Sequence, residues 1–155
     1  MNLSDAEIMA LKLMREHNIA QQGWSFEFDR SVRRFGVCKY GKKIIGLSAH
    51  LTMLNNVENV RDTILHEIAH AIAGHKAGHG YEWKKVCIRI GAKPERCYDS
   101  EETVTPKLRY SATCGACGKE YQRARAVTHN RKVSCKCQSG KDWNNRVLLE
   151  YKQNY

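Results

Sequence analysis

Three residues in the middle of the chain form a pattern typical of metal chemistry. His66, Glu67 and His70 spell H-E-x-x-H, and residues four apart share one face of a helix, so both imidazoles can bind the same metal ion. Glu67 lies beside that face, where its carboxylate can hold and deprotonate a metal-bound water without itself binding the metal. The flanking positions are apolar nearly all round, which predicts a buried helix instead of a solvated one. These positions are Ile64, Leu65, Ile68, Ala69, Ala71, Ile72 and Ala73.

Gly74 and Gly78 predict the end of this helix, and a third metal ligand is expected beyond it. The candidates are His75, His79 and Glu82. On a continued helix His75 points about 140° away from His70. His79 is better placed, because glycines on both sides let the backbone fold back, just ahead of a second predicted helix over residues 81–90. The alternative for either histidine is an ordinary loop residue, and this applies mainly to His75.

Seven cysteines, four of them in two close pairs, predict a second metal site. Cys114 and Cys117 form a C-x-x-C pair, and Cys135 and Cys137 are separated by one residue. An odd number of cysteines with this spacing fits zinc binding in a reducing compartment better than a disulfide framework. We expect the four thiolates to hold one zinc ion, with His129 as the alternative to one of them. The other three cysteines, Cys38, Cys87 and Cys97, lie in apolar segments and are predicted to be buried thiols that bind no metal.

The basic character of the chain belongs to its C-terminal third. The net charge is +10, and residues 104–155 hold 11 Lys and Arg against 3 Asp and Glu, whereas residues 1–103 hold 15 against 13. Such a block suits a polyanion, and nucleic acid is the commonest one in cells, although a merely solvated basic tail is the simpler alternative. Cations mixed with flat rings can bind phosphates and unstacked bases. The predicted nucleic-acid contacts are Arg123, Arg125, Arg131, Lys132 and Trp143.

The chain is predicted to form two domains, residues 1–103 and 104–155, joined by a connector that contains Pro94 and Pro106. The sequence has no run of 18 apolar residues and an acidic start unlike a secretory signal, so we expect a cytoplasmic, DNA-associated monomer with no membrane partner. The first domain reads as α+β. Ser4 and Glu7 predict a capped helix over residues 5–21, and residues 24–28, 34–40 and 43–47 predict a small antiparallel β-meander. Asn55 is the predicted cap of the H-E-x-x-H helix.

Residues 3–100 resemble the SprT-like zinc metalloprotease family, which includes bacterial SprT proteins and the eukaryotic protease Spartan. The resemblance rests on residues 63–70, on G-H-G-x-x-W at residues 78–83 and on I-G-A at residues 90–92, and residues 36–40 and 44–48 look like strands of that family. It implies a zincin-like domain in which His66, His70 and His79 bind zinc and Glu67 is the general base. The C-terminal zinc ribbon is also similar to bacterial SprT proteins.

The function that follows is a zinc-dependent endopeptidase in which Glu67 activates a zinc-bound water. By resemblance to Spartan, its substrates would be DNA-associated or DNA-crosslinked proteins, a role in DNA repair, with single- or double-stranded DNA bound through the ribbon. Two zinc ions are expected, one catalytic and one structural. The alternative is a DNA-binding accessory or regulatory protein with a structural zinc site, and zinc hydrolysis of a small substrate is a third interpretation. Glu67 favours the enzyme, because a carboxylate retained beside a ligand has no task in a structural site.

Overall fold

The computed structural model describes residues 1–95, 103–128, 131–137 and 146–154. The chain divides into two compact units, Met1–Pro106 and Lys107–Tyr155. The sequence places the boundary at residue 103, inside the connector. Together the units have a mixed α+β architecture with two three-stranded sheets, one in each unit. No helix within the described ranges has both the length and the apolar character needed to cross a membrane.

The first helix, α1, spans Leu3–Glu16 and buries one face through Ala6, Ala10, Leu13 and Met14. The predicted cap at Ser4 is wrong, because Asn2 is the N-cap and its side chain accepts a hydrogen bond of 2.8 Å from the Asp5 amide. The helix also ends earlier than the predicted residue 21. Asn18 has a φ of +59°, outside the right-handed helical region, so the chain turns there into a short 3-10 helix, Ala20–Gln22.

The first sheet is built from β1 (Ser25–Asp29), β2 (Gly36–Lys39) and β3 (Ile44–Ser48). Its strand order is β1-β3-β2, and β1 runs parallel to β3, so the predicted antiparallel meander is wrong. Only β2 and β3 form an antiparallel hairpin, joined by the 3-10 turn Tyr40–Lys42. The central strand is β3, which is also the most buried of the three, with Ile45 and Leu47 fully enclosed.

Two helices follow the sheet. A short helix, α2 (Ala49–Leu54), was not predicted, and α3 spans Val57–Ala73. The cap of α3 is Asn56 and not the predicted Asn55, since Asn56 accepts the Asn59 amide hydrogen bond at 2.8 Å. Asn55 is buried and instead bonds to the backbone of Val104 through both ends of its amide, each at 2.8 Å. It therefore attaches the segment after residue 102 to the junction between α2 and α3.

The helix α3 is the centre of the first unit, in contact with α1 and with strands β2 and β3. Its buried residues run from Val60 to Ala69 with few interruptions, as the apolar sequence around the motif predicts. The last helix, α4, spans Tyr81–Ile90, the predicted range, and packs through Trp83, Cys87 and Ile90. The core is therefore built around the helix that carries H-E-x-x-H.

The second unit has a sheet of β4 (Tyr110–Thr113), β5 (Glu120–Arg123) and β6 (Lys152–Gln153) in the order β5-β4-β6. Both pairings are antiparallel. A separate bridge joins Ser134 to Leu148. The fully buried apolar residues among those described in this unit are Ala112, Cys114, Cys135 and Leu149. So small a core suits a module that depends on a metal for stability.

Candidate metal centres

The first candidate site lies on the buried face of α3. His66 and His70 are one helical turn apart, and His66 and Glu67 are 7% and 6% exposed. The helix stops immediately after these residues, because Gly74 adopts a φ of +83° and its amide bonds to the His70 carbonyl at 2.9 Å. A residue with a side chain is strained at that φ. The motif thus occupies the last turns of a helix whose exit is fixed by glycine.

The loop after α3 carries His79 back to the motif. It consists of the 3-10 turn His75–Ala77 and then Gly78, whose φ of +49° and ψ of −130° suit only glycine. The amide of Gly80 bonds to the Ala77 carbonyl at 2.9 Å and starts α4. His79 therefore points at the motif helix, whereas His75 is exposed and lies edge-on to Tyr40 with ring centroids 5.2 Å apart.

The structure brings His66, His70 and His79 together as one group of ligand atoms. The Nε2 atom of His79 lies 3.1 Å from Nε2 of His70 and 3.2 Å from Nε2 of His66. Two nitrogens bound to one tetrahedral zinc ion are separated by about 3.4 Å. Both distances are close to this value, so the donor set fits a zinc ion. Glu82, the other candidate third ligand, is exposed and pairs with Lys85 at 3.5 Å.

The electrostatics of the group also suit a metal. Burial, with the other two histidines, lowers the pKa of His66 to about 3, and burial with His79 lowers the pKa of His70 to about 4. Both rings are thus neutral at physiological pH, and a neutral imidazole has the free lone pair that a metal ligand needs.

Glu67 lies next to the histidine group but is not part of it. Its carboxylate is packed against Gly36 of β2, so closely that a Cβ added at Gly36 would lie 2.5 Å from Oε1 and 2.7 Å from Cγ of Glu67. Burial raises the pKa of Glu67 to about 8, and the charge of Arg34 opposes that rise. Arg34 itself forms hydrogen bonds of 2.9 and 2.7 Å with Asp29.

Two further polar groups of the hairpin face this region. The Tyr40 hydroxyl donates to the His70 carbonyl at 3.2 Å. Burial, together with the Glu67 charge, raises the pKa of the Cys38 thiol to about 12. A thiol that stays protonated is a poor nucleophile, which fits the prediction that Cys38 is an unligated thiol.

The second candidate site gathers Cys114, Cys117, Cys135 and Cys137. The Sγ atoms of Cys114 and Cys137 are 3.6 Å apart, and those of Cys117 and Cys135 are 3.7 Å apart. Tetrahedral zinc with four thiolates requires about 3.8 Å, whereas a disulfide requires about 2.0 Å. The four cysteines therefore fit a closed zinc site. His129, the predicted alternative ligand, lies outside the described residues, as do Cys97 and Trp143.

One aromatic side chain supports this sulfur group. The Tyr121 hydroxyl lies 3.0 Å from Sγ of Cys135, and this hydrogen bond lowers the pKa of the Cys135 thiol to about 6, which favours the thiolate. The Cys137 amide also bonds to the same sulfur at 3.4 Å. Gly118, which follows C-x-x-C, has a left-handed φ of +71°, and its amide donates a hydrogen bond of 2.9 Å to the Cys114 carbonyl.

The predicted nucleic-acid residues are spread over the second unit. Arg123 is half-buried, with its guanidinium 5.4 Å from the centre of the Tyr151 ring. Arg125, Arg131 and Lys132 are exposed. Three of the four predicted cations are therefore accessible, and the fourth lies against an aromatic ring.

Sequence reasoning left three neighbours of the two sites without a role. Trp83 touches all three histidine rings, Gly36 touches Glu67, and Tyr121 bonds to Cys135. The G-H-G-x-x-W spacing marked Trp83 as part of a motif. No local signal in the sequence marks Gly36 or Tyr121, because each acts on a residue distant in the chain.

Comparison with known proteins supports the same class. Residues 7–105 match the model of the SprT-like family, and the chain belongs to this family. The chain is 26% identical over 114 residues to Protein SprT of Pseudomonas putida strain W619 and 25% identical over 114 residues to Protein SprT of strain GB-1. Each alignment covers 67% of this chain and 70% of the relative. No solved structure matches the chain significantly. Membership of the family indicates a metalloprotease-like role.

Proposed function

We propose that the chain is a zinc-dependent endopeptidase in which Glu67 is the general base. The observation that carries the proposal is the convergence of three histidine nitrogens beside a buried carboxylate. Nε2 of His79 lies 3.1 Å from Nε2 of His70 and 3.2 Å from Nε2 of His66, and Glu67 is buried on the helix that carries His66 and His70. A structural zinc site closes its fourth position with a protein ligand. Within the described ranges the group contains only three ligands, which leaves a position for a substrate.

The chemistry divides between the metal and the carboxylate. When bound, zinc supplies a Lewis acid that polarises the scissile carbonyl and lowers the pKa of water. Glu67 accepts a proton from the attacking water and afterwards donates it to the leaving amine. The burial of α3 holds the rings of His66 and His70 in place, and the loop with Gly74 and Gly78 positions the ring of His79.

The pKa of Glu67 suits this task. Burial raises it to about 8 in the metal-free chain, and a cation held by the neighbouring histidines lowers it again through its opposite charge. A general base works best when its pKa is close to the working pH.

The substrates in this proposal are proteins bound or crosslinked to DNA, a role in DNA repair. Its support is the charge of residues 104–155, with 11 Lys and Arg against 3 Asp and Glu, and the exposure of Arg125, Arg131 and Lys132. A module that neutralises several phosphates binds DNA without reading its sequence. It would raise the local concentration of DNA-bound proteins near the peptidase.

The test compares wild-type protein with Glu67→Gln on an unfolded protein substrate. The amide is nearly isosteric but cannot accept the proton, so we expect cleavage to fall by 100-fold or more while zinc content stays the same. Glu82→Gln is the matched control, because Glu82 is exposed on α4 and outside the histidine group. Cleavage by Glu67→Gln at the wild-type rate would remove this mechanism and favour a DNA-binding accessory protein with a structural zinc site.

A further inference from the structure

Trp83 is in contact with every candidate ligand of the first metal site. Its ring centroid lies 4.8 Å from that of His66, 5.3 Å from that of His70 and 4.7 Å from that of His79. The indole is stacked on His70 at 26° and meets the other two rings edge to face, at 64° and 83°. These are the preferred arrangements of aromatic pairs. One side chain therefore touches three rings that come from two separate elements.

Trp83 is also among the largest fully buried side chains of the first unit. It is 0% exposed and lies on the buried face of α4, which packs against α3. A large ring in a close-packed interior has one accessible rotamer. The imidazoles that lean on it lose rotational freedom before a metal arrives, so the metal does not have to order them.

We infer that Trp83 is the positioning residue of the three-histidine site, a platform that holds His66, His70 and His79 in the arrangement that binds zinc. The inference rests on the proposed function only in treating this group as a zinc site. Trp83 does not bind the metal and does not touch the substrate in this account. It acts through the ligands, as outer-shell groups of metal sites commonly do.

The substitution Trp83→Phe tests the inference without removing the fold. The indole Nε1 is buried and has no hydrogen-bond partner among the described residues, so a phenyl ring removes an unpaired donor as well as contact area. Cys87 and Ile90 still anchor α4. Trp24→Phe is the matched control, because Trp24 lies in the same unit and its ring contacts Tyr40, 6.1 Å away.

The measurement is a zinc titration of the metal-free full chain against a chromophoric chelator. For Trp83→Phe we expect zinc affinity at the histidine site to fall by about 10- to 100-fold. Affinity at the four-cysteine site, the internal reference, should stay the same, and Trp24→Phe should match wild type at both sites. A folded Trp83→Phe protein with zinc affinity within twofold of wild type would overturn the inference, and so would an equal loss in Trp24→Phe.

The two proposals fail in different ways. Absence of zinc binding at the histidine site of the wild type would remove the proposed function together with the inference. Tight zinc binding by both wild type and Trp83→Phe would remove the inference alone.

A second measurement needs no change at residue 83. A platform must be fixed before the metal binds, so in metal-free protein labelled with fluorotryptophan we expect one sharp ¹⁹F resonance for Trp83. It is assigned by comparison with Trp24→Phe and Trp143→Phe, and zinc should shift it without changing its width. A Trp83 resonance that is broad or multiple in the metal-free protein and sharpens only with zinc would overturn the inference.

Discussion

At the scale of single residues, the candidate general base depends on a neighbour with no side chain. A Cβ at Gly36 would lie 2.5 Å from Oε1 of Glu67 and 2.9 Å from Cγ2 of Thr63. Real Cβ atoms do not approach this closely, so a side chain at residue 36 must move the carboxylate or the strand. The absence of a side chain at Gly36 therefore allows the Glu67 carboxylate to lie where it does.

We expect Gly36→Ala to lower the rate of peptide cleavage by about 100-fold, since displacement of a catalytic group by about 1 Å has an effect of this size. Zinc content should stay the same, because the atoms nearest to a Cβ at Gly36 belong to Glu67 and Thr63 and not to a histidine. The measurement is kcat with zinc content on the same sample. Gly41→Ala is the control, since a Cβ there meets nothing within 4 Å. Wild-type kcat in Gly36→Ala would show that the carboxylate position is not limiting.

The residues of the motif could be predicted from the sequence, but the neighbouring residues that position them could not. His66, Glu67 and His70 follow from the period of one helix, and the preference for His79 over His75 follows from glycines that let the chain turn back. Gly36 and Trp83 act across the packed interface of α3 with β2 and α4. Contacts between distant segments depend on tertiary packing, which a local pattern does not contain.

At the scale of elements, local signals predicted α1, α3 and α4 but not the short helix α2, and the predicted start was right only for α4. The range of α4 was predicted because Gly80 and Gly91 bound an amphipathic run, whereas two caps were wrong because Asn2 and Asn56 lie close to other capping residues. The parallel pairing of β1 with β3 was missed for a different reason. Alternation along a strand indicates that it belongs to a sheet, but not which strand lies beside it.

The four-cysteine site belongs to this scale, because a zinc ion held there would supply much of the stability of a unit with so small a core. We expect the wild type to bind two zinc ions per chain. Cys114→Ser with Cys117→Ser should remove one and unfold residues 107–155, while His79→Ala should remove the other and leave the cysteine site filled. Elemental analysis with near-UV circular dichroism measures both. Two zinc ions in the cysteine variant would eliminate the ribbon site, and loss through His75→Ala instead would identify a different third ligand.

At the scale of the whole molecule, the uneven charge predicts a division of labour between the two units. Residues 104–155 should carry the DNA affinity, because each phosphate contact releases counterions and makes binding fall steeply with salt. A chain of residues 1–106, which keeps the hydrogen bonds between Val104 and Asn55, should therefore bind DNA at least tenfold more weakly, with a shallower dependence on salt. Fluorescence anisotropy at several salt concentrations measures both quantities.

The same truncation separates targeting from catalysis. Cleavage of a DNA-bound protein should decrease more than cleavage of a free unfolded protein, since only the first depends on co-localisation. Equal DNA affinity and an equal salt slope in the truncated chain would contradict this division. The contact would then lie on exposed basic residues of the first unit, for which the candidates are Arg30, Arg33, Arg34, Lys42 and Lys43.

The most direct test of the central claim is zinc-dependent recovery of peptide cleavage in chelator-treated full-length protein. The three-histidine arrangement predicts no cleavage in the metal-free chain. It also predicts that activity returns with the zinc equivalent that fills the histidine site. Product masses should show new chain ends within the substrate. Full cleavage without zinc, or no cleavage with both sites filled, would contradict the assignment of this protein as a zinc endopeptidase.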